Sequence, residues 1–398
     1  MTGPPPHPAV PVPARPPRPP VWRDVRVVRI VLQVAFAAGV VAVVWFLYST
    51  LLDNLRAQGI RTDFSFLEQP AGFQIAGSDF RASQDVGDAL RVGVANTASI
   101  AGLGIVLATV LGVVVGVARL SGNWLVRRAA SLYVETLRNL PPVVVVVFLF
   151  TAVFLRLPRI EDPARLGGVL IASNRTISVA APGAGPRLGA YLALLGAAGL
   201  VAVGLAVWRT RRWASTGEPH HRVAWSLGAF AGVALLGYVA LGGPVVLDRP
   251  EVAGRQLAGG WAMSANYAAL LVALVLYTAS YIAEIVRGSI LAVPVGQTEA
   301  ATALALSPFQ RLRHVVLPQA LRIAIPPTAN QYLNLTKNSS LGLFIGFPEI
   351  TTVTFIAIGN GNPAPQSVVM LMGLYLAFSL LVAAVTNAVN RRLKLAGP

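Results

Sequence analysis

The chain contains repeated runs of about 20 residues with almost no charge, and these runs limit its possible folds more than any other feature. Wound as a helix, a run of that length crosses a hydrocarbon layer of roughly 30 Å. Such runs lie at about 29–51, 89–118, 129–155, 188–208, 224–242, 264–286, 322–358 and 366–390. Charged residues make up only 12% of the chain, against roughly a quarter in soluble domains. Within lipid, only helices and closed barrels satisfy every backbone polar group, and these run lengths are those of helices. The expected fold is therefore all-α, a polytopic membrane protein with about eight transmembrane helices.

The run at 322–358 is too long and too polar for a simple span. Pro326, Pro327, Gly342, Gly346 and Pro348 interrupt it, which predicts a broken helix followed by a short re-entrant or external piece. Irregular backbone at membrane depth persists only where protein or a water-filled cavity satisfies it. This segment is accordingly expected to line a pathway.

Charge sets the expected orientation. The segment before the first run is dominated by proline, with ten prolines in residues 1–20, and reads as a disordered tail over 1–28. The run at 29–51 is too long for the apolar part of a signal peptide, so it is expected to remain as the first span. With the N-terminus inside, eighteen basic residues fall in cytoplasmic segments and ten in the main external loops. That bias places both termini in the cytoplasm. It makes 52–88 an external segment, 288–321 a cytoplasmic loop and 391–398 a cytoplasmic tail.

Several functional classes are excluded. The net charge of +16 comes from 32 basic residues that flank apolar runs and form no single stripe, so nucleic acid is not an expected partner. Cysteine is absent and histidine numbers four, two of them the adjacent His220 and His221; no metal site is expected. The only lysines, Lys337 and Lys394, do not follow the glycine that a P-loop requires. Any ATP hydrolysis must belong to another chain.

Residues 296–318 read as two short helices around a corner. Gln297 to Leu306 is rich in the strong helix formers Ala and Leu, and Glu299 falls in the first turn, where the helix dipole favours an acid. Ser307, Pro308 and Gln310 then supply a cap, a first-turn proline and the partner of a capping box. Ala300, Ala301, Ala303 and Ala305 offer a small, close-packing surface, and Pro318 is expected to end or redirect the second helix.

Ionisable residues within spans point to function. Glu135 and Arg138, three apart, share a helix face and can pair, either as a structural ion pair or along a substrate path. Glu284 and Arg287 repeat that spacing at the end of a span and read as an interfacial pair. Lys337 sits among Asn330, Asn334, Thr336, Asn338, Ser339 and Ser340. This group suits recognition of a carboxylate or movement of a gate, or alternatively hydrogen bonding to broken backbone. Asn96, Thr97 and Ser99 read as polar links between helices.

The pattern Glu299-Ala300-Ala301, then Ala305, then Leu317-Pro318 resembles the cytoplasmic coupling loop of ABC importer permeases, with Ala305 where that family usually has glycine. The stretch from Tyr133 to Pro142 resembles the third-span signature of the polar amino-acid permeases. The stretch from Asn330 to Leu341 is similar to the part that follows their coupling loop. The segments 54–60 and 118–126 resemble one branch, the larger permease of the proteobacterial general L-amino-acid importer. The resemblance covers nearly the whole chain after the proline-rich tail. It implies a five-helix core in 89–155 and 264–390, with a two-helix insertion at 157–263. It further implies a bacterial inner-membrane subunit that takes amino acids from a periplasmic binding protein. Its partners would be a second, homologous permease chain and an ATPase dimer that binds the ATP and magnesium and docks on Glu299, Ala300, Ala301, Ala305, Ser307, Leu317 and Pro318. The rival class, a secondary transporter driven by an ion gradient, needs acids at the bilayer midplane, where the spans offer almost none beyond Glu135.

Overall fold

The structure of the protein, a computed structural model, describes residues 25–57, 59, 63–216, 222–254 and 256–393. The proline-rich tail through residue 24, the loop holding His220 and His221, and residues 394–398 lie outside the described residues. The chain divides into two compact units, Met1–Phe64 and Ser65–Pro398. The first is built on one long apolar helix, α1 (Val25–Ala57).

The second unit opens with a loop over residues 65–85, whose Phe66, Phe73, Ile75 and Phe80 pack into a small apolar knot with Val86, Leu90 and Val353. The chain then forms α2 (Val86–Ala118), α3 (Trp124–Asn139) and α4 (Pro142–Phe148). The short strands β1 (Ala164–Leu166), β2 (Leu170–Ala172), β3 (Thr176–Val179) and β4 (Ala181–Ala184) come next. The helices α5 (Leu188–Thr216) and α6 (Arg222–Ala240) pack on each other, and β5 (Val245–Asp248), β6 (Glu251–Ala253), β7 (Gln256–Ala258) and β8 (Trp261–Ser264) follow. The last part holds α7 (Ala265–Leu291), α8 (Val295–Ala303), α9 (Pro308–Arg311), α10 (Leu317–Asn338), α11 (Ile350–Gly359) and α12 (Ala364–Leu393).

Among the described residues six helices are long and apolar enough to cross a membrane, and two bent helix pairs raise the number to eight. The polytopic helical fold read from the sequence is the fold observed. The strands add a small layer that the apolar runs do not reveal. β1, β2, β3 and β8 form an antiparallel sheet, with β3 paired to β8 from Thr176 opposite Ser264 to Val179 opposite Trp261. β4 pairs with β5, so the strand that leads into α5 and the strand that follows α6 close on each other.

Three local expectations are corrected. The run at 129–155 is not one straight helix: it is two helical pieces bent by 106°. Leu140 and Pro141 are extended, with ψ near 139° and 137°, because each precedes a proline, which disfavours helical backbone there. Pro326 and Pro327 do not break the run at 322–358: α10 passes through both. The break comes at the 3₁₀ turn Ser339–Ile345 and the left-handed Gly346, and the bend there is 45°. Pro318 does not end a helix either. It lies in the first turn of α10, where its missing N–H costs nothing, and a π turn over Leu312–Val316 joins α9 to α10.

The core is centred on α2 against α7, with Ile100, Ala108, Leu270, Leu274, Ile282 and Leu335 buried together. Small residues let the two backbones approach, as expected where lipid offers no hydrophobic drive between helices. A Cβ on Gly112 would stand 2.6 Å from that of Ile282, and one on Gly116 would stand 2.8 Å from the Ala283 carbonyl oxygen. Gly112→Ala should therefore destabilise the chain by about 1–3 kcal/mol through overpacking. Gly102→Ala on the same helix, with open space at that position, should be nearly neutral. Thermal unfolding in detergent compares the two variants, and equal midpoints would contradict this account of the contact.

Candidate functional site

At its Leu291 end α7 leads through Val293 and Pro294 into α8, and the chain then turns sharply. Ala305 is left-handed, with φ of 55°, the sole such non-glycine among the described residues. The Leu306 N–H donates to the Ala301 carbonyl (3.2 Å) and the Ala305 N–H donates to that of Thr302 (2.9 Å). This is the Schellman closure, which places its left-handed residue just past the helix end. Ser307 then caps α9: its hydroxyl accepts from the Gln310 N–H (3.3 Å), and the Gln310 side-chain oxygen accepts from the Ser307 N–H (2.9 Å). The capping box read from the sequence is formed.

Two further bonds brace this elbow. The Arg311 guanidinium donates to the Thr302 hydroxyl at 2.8 Å, and the Gln319 amide donates to Gln297 at 3.4 Å. Ala301 is buried against the rest of the chain, whereas Glu299, Ala300, Ala305 and Ser307 are exposed. Val295, Leu304 and Phe309 of the same elbow are exposed by 72%, 76% and 67%. Leu317 is exposed and Pro318 half-buried at the base of α10. An exposed apolar group of this kind is a candidate interaction surface.

The second group of predicted residues separates. Glu135 is exposed and has no ion-pair partner among the described residues, so Glu135 and Arg138 do not pair. Arg138 instead lies 3.8 Å from Glu284 and over the ring of Tyr281. Glu284 also accepts from Arg287 at 2.6 Å, as its spacing predicts, and from Arg119 at the end of α2. One carboxylate thus collects three guanidinium groups and ties α2 and α3 to α7 just before the elbow.

On α10, Asn330, Asn334 and Lys337 are exposed at helical spacing and form one polar stripe, with Asn338 half-buried beside it. Ser339 is buried, and its hydroxyl donates to the Thr336 carbonyl at 2.7 Å; it satisfies backbone at the break. Asn96 donates to the Pro348 carbonyl at 2.8 Å, Thr97 accepts from the Ile350 N–H at 3.2 Å, and Ser99 pairs with the Tyr267 hydroxyl at 2.7 Å. These three link α2 to α7 and to the start of α11.

Residues 108–395 match the model of the binding-protein-dependent transport system inner membrane component family. The chain belongs to that family. It is 37% identical over 380 residues to the general L-amino acid transport system permease protein AapQ of Rhizobium johnstonii, spanning 94% of this chain and 93% of that one. It is 36% identical over 366 residues to the putative amino-acid ABC transporter permease protein YhdX of Escherichia coli, spanning 91% and 93%. A glutamate/glutamine/aspartate/asparagine transport system permease protein, BztB of Rhodobacter capsulatus, is 34% identical over 403 residues, spanning 92% and 93%. The protein is a multi-pass inner-membrane component of a transport system, and no cluster of His, Cys, Asp or Glu able to hold a metal ion occurs among the described residues.

Sequence reasoning missed one acid of this transport component. Glu349 has no solvent exposure and caps α11, accepting from the Thr351 N–H (2.9 Å) and the Thr352 N–H (2.8 Å). It also accepts from the Tyr375 hydroxyl at 2.7 Å, which links α11 to α12. The available signal was an acid directly before the helical run Ile350–Gly359, a capping position. The exposed Val295, Leu304 and Phe309 were also passed over, because apolar residues in an apolar chain do not stand out.

The elbow yields a direct test. A left-handed alanine costs about 1–2 kcal/mol relative to a right-handed one, a penalty that glycine escapes. Ala305→Gly should therefore slow amide hydrogen exchange at Leu304–Leu306 severalfold. Exchange unchanged or faster in the variant would show that the corner carries no such strain.

Proposed function

We propose that this chain is the transmembrane permease subunit of an ATP-driven importer for L-amino acids. In this reading it passes substrate from a periplasmic binding protein to the cytoplasm. The observation that carries the reading is the braced elbow at 288–321, with Glu299, Val295, Leu304 and Phe309 all exposed. Full-length relatives bearing amino-acid permease names support it. The elbow lies in the cytoplasm, as do both termini, and docks on an ATPase dimer that supplies ATP and magnesium. Glu299, Ala300, Ala301, Ala305, Ser307, Leu317 and Pro318 form the docking elbow.

The chain itself breaks no bonds. When the ATPase pair closes on ATP, it displaces the elbow. The Schellman closure, the capping box and the Arg311–Thr302 bond make that elbow move as one piece. α7 enters it and α10 leaves it, so the displacement is carried along both helices into the core. The stripe Asn330, Asn334 and Lys337, with Asn338, faces either the substrate path or the second, homologous permease chain, since polar groups on a spanning helix are costly against lipid. Arg138 and Glu135 on α3 are the other candidates for that path, and Ser339 holds the break in the helix.

Glu349 supports the alternative, ion-gradient-driven secondary transport, because a buried acid in a spanning segment can carry a proton. Its acceptor capacity is spent, however, on two backbone N–H groups, the Thr352 hydroxyl and Tyr375, which is structural work. Uptake of labelled amino acids into proteoliposomes holding the full complex separates the two readings. Uptake that requires ATP and survives ionophores is expected; uptake without ATP that collapses with the ion gradient would overturn the proposal. In the same complex, Glu299→Lys should leave membrane insertion intact and abolish substrate-stimulated ATP hydrolysis. Normal stimulated hydrolysis would remove Glu299 from the docking surface.

A further inference from the structure

At the end of α7 opposite the elbow lies a cavity of about 360 Å³ that no part of the transport reading has used. One side comes from the helical core: Asn96 of α2, Tyr267 of α7, and Phe347 before α11. The other side comes from the strand layer: Thr176 of β3 and Trp261 of β8. The tip of the 65–85 loop, at Ala76 and Gly77, closes a third side. The volume falls at the small end of the range for small-molecule sites.

The lining is chemically divided. Trp261, Tyr267 and Phe347 form an aromatic series, with ring centroids 6.3 Å and 5.6 Å apart and rings near perpendicular. Tyr267 turns its hydroxyl to Ser99, which fixes its ring within the series. Against this wall stand the Asn96 amide, whose nitrogen is held by Pro348 while its oxygen stays unpaired, and the Thr176 hydroxyl, which has no hydrogen-bond partner among the described residues. No charged side chain lines the cavity. A ligand of net charge finds no counter-ion among the lining side chains. A zwitterion is neutral overall: its carboxylate can accept from the Thr176 hydroxyl, its ammonium can donate to the Asn96 oxygen, and a small apolar part meets the aromatic wall. An ammonium group over an aromatic face gains further attraction.

We propose that this cavity is an entry subsite for small neutral α-amino acids, built jointly by the strand layer and the helical core. The proposal rests on the reading of the chain as an amino-acid importer subunit. It gives the insertion a role: without β3 and β8 the core would present an open, one-sided polar surface.

The absence of cysteine makes a protection experiment possible. Ala262→Cys, on the strand wall of the cavity, is introduced, the chain is assembled with its membrane and ATPase partners, and the rate of maleimide addition to this chain is followed by mass. L-Serine or L-alanine at ten times its dissociation constant should slow labelling roughly tenfold by mass action. L-Lysine and L-glutamate should give no protection, and neither should any amino acid at Val169→Cys, an exposed control in the turn between β1 and β2. If Ala262→Cys fails to assemble, Ala76→Cys at the tip of the 65–85 loop replaces it. Equal labelling with and without serine would overturn the subsite, and equal protection by lysine or glutamate would overturn its neutral class. ATP-driven uptake by the unsubstituted complex is measured alongside. Uptake without protection removes only the subsite, whereas protection without ATP-driven uptake removes the importer reading and leaves a solute site.

Discussion

The close approach of α2 to α7 is the contact on which the rest of the second unit depends. Lipid is as apolar as leucine, so helices in a membrane are held by shape and by polar ties more than by a drive to leave water. Gly112 and Gly116 remove the side chains that would separate the two backbones, and polar ties then pin α2 along its length. Near one end Asn96 and Thr97 hold the start of α11 and Ser99 holds Tyr267. Further along, Thr109 meets the Tyr332 hydroxyl of α10 at 2.8 Å. At the other end Arg119 reaches Glu284. One helix thus ties α7, α10 and α11 together, with the strand layer at one end and the elbow at the other.

That arrangement explains why the elbow is stiff and its surroundings are polar. Glu284 gathers Arg119, Arg138 and Arg287 within the last turns of α7 before the elbow, so α2, α3 and α7 share one electrostatic junction. The elbow keeps its own angle through local bonds, with Ala305 held left-handed between the α8 closure and the Ser307 cap. A rigid elbow attached to a pinned helix pair transmits displacement better than a flexible loop would. The proposed coupling to an ATPase requires that property.

Polar groups in the spanning part fall into two kinds. Glu349, Thr97 and Ser339 are buried and hydrogen-bonded to backbone, Glu349 to Thr352 and Tyr375 side chains as well, and they hold the break between α10 and α11 in shape. Asn330, Asn334 and Lys337 face outward from α10 and are left for something other than lipid. Burial alone distinguishes the two sets, since both consist of ordinary amides, hydroxyls and charges in one stretch of chain.

Much of this was legible in the sequence. Run length and charge poverty predict the spans, because the bilayer thickness sets how many residues a helix needs. Ser307, Pro308 and Gln310 predict the elbow's second cap, because capping is local chemistry between residues three apart. The positions of Glu284 and Arg287 predict their pair for the same reason. Tertiary structure decided what local pattern leaves open. Glu135 and Arg138 have the same spacing as that pair, yet Arg138 goes to Glu284 because a better partner lies on a neighbouring helix. Pro326 and Pro327 remain inside α10, while the chain bends at Leu140 and Pro141, so a Pro-Pro pair by itself does not decide whether the helix bends. The strand layer was invisible in three- and four-residue segments, whose pairing of β3 with β8 spans more than 80 residues of chain. Local chemistry and bilayer thickness act within a few turns and can be read from order alone; partner choice depends on which surfaces the folded helices bring together.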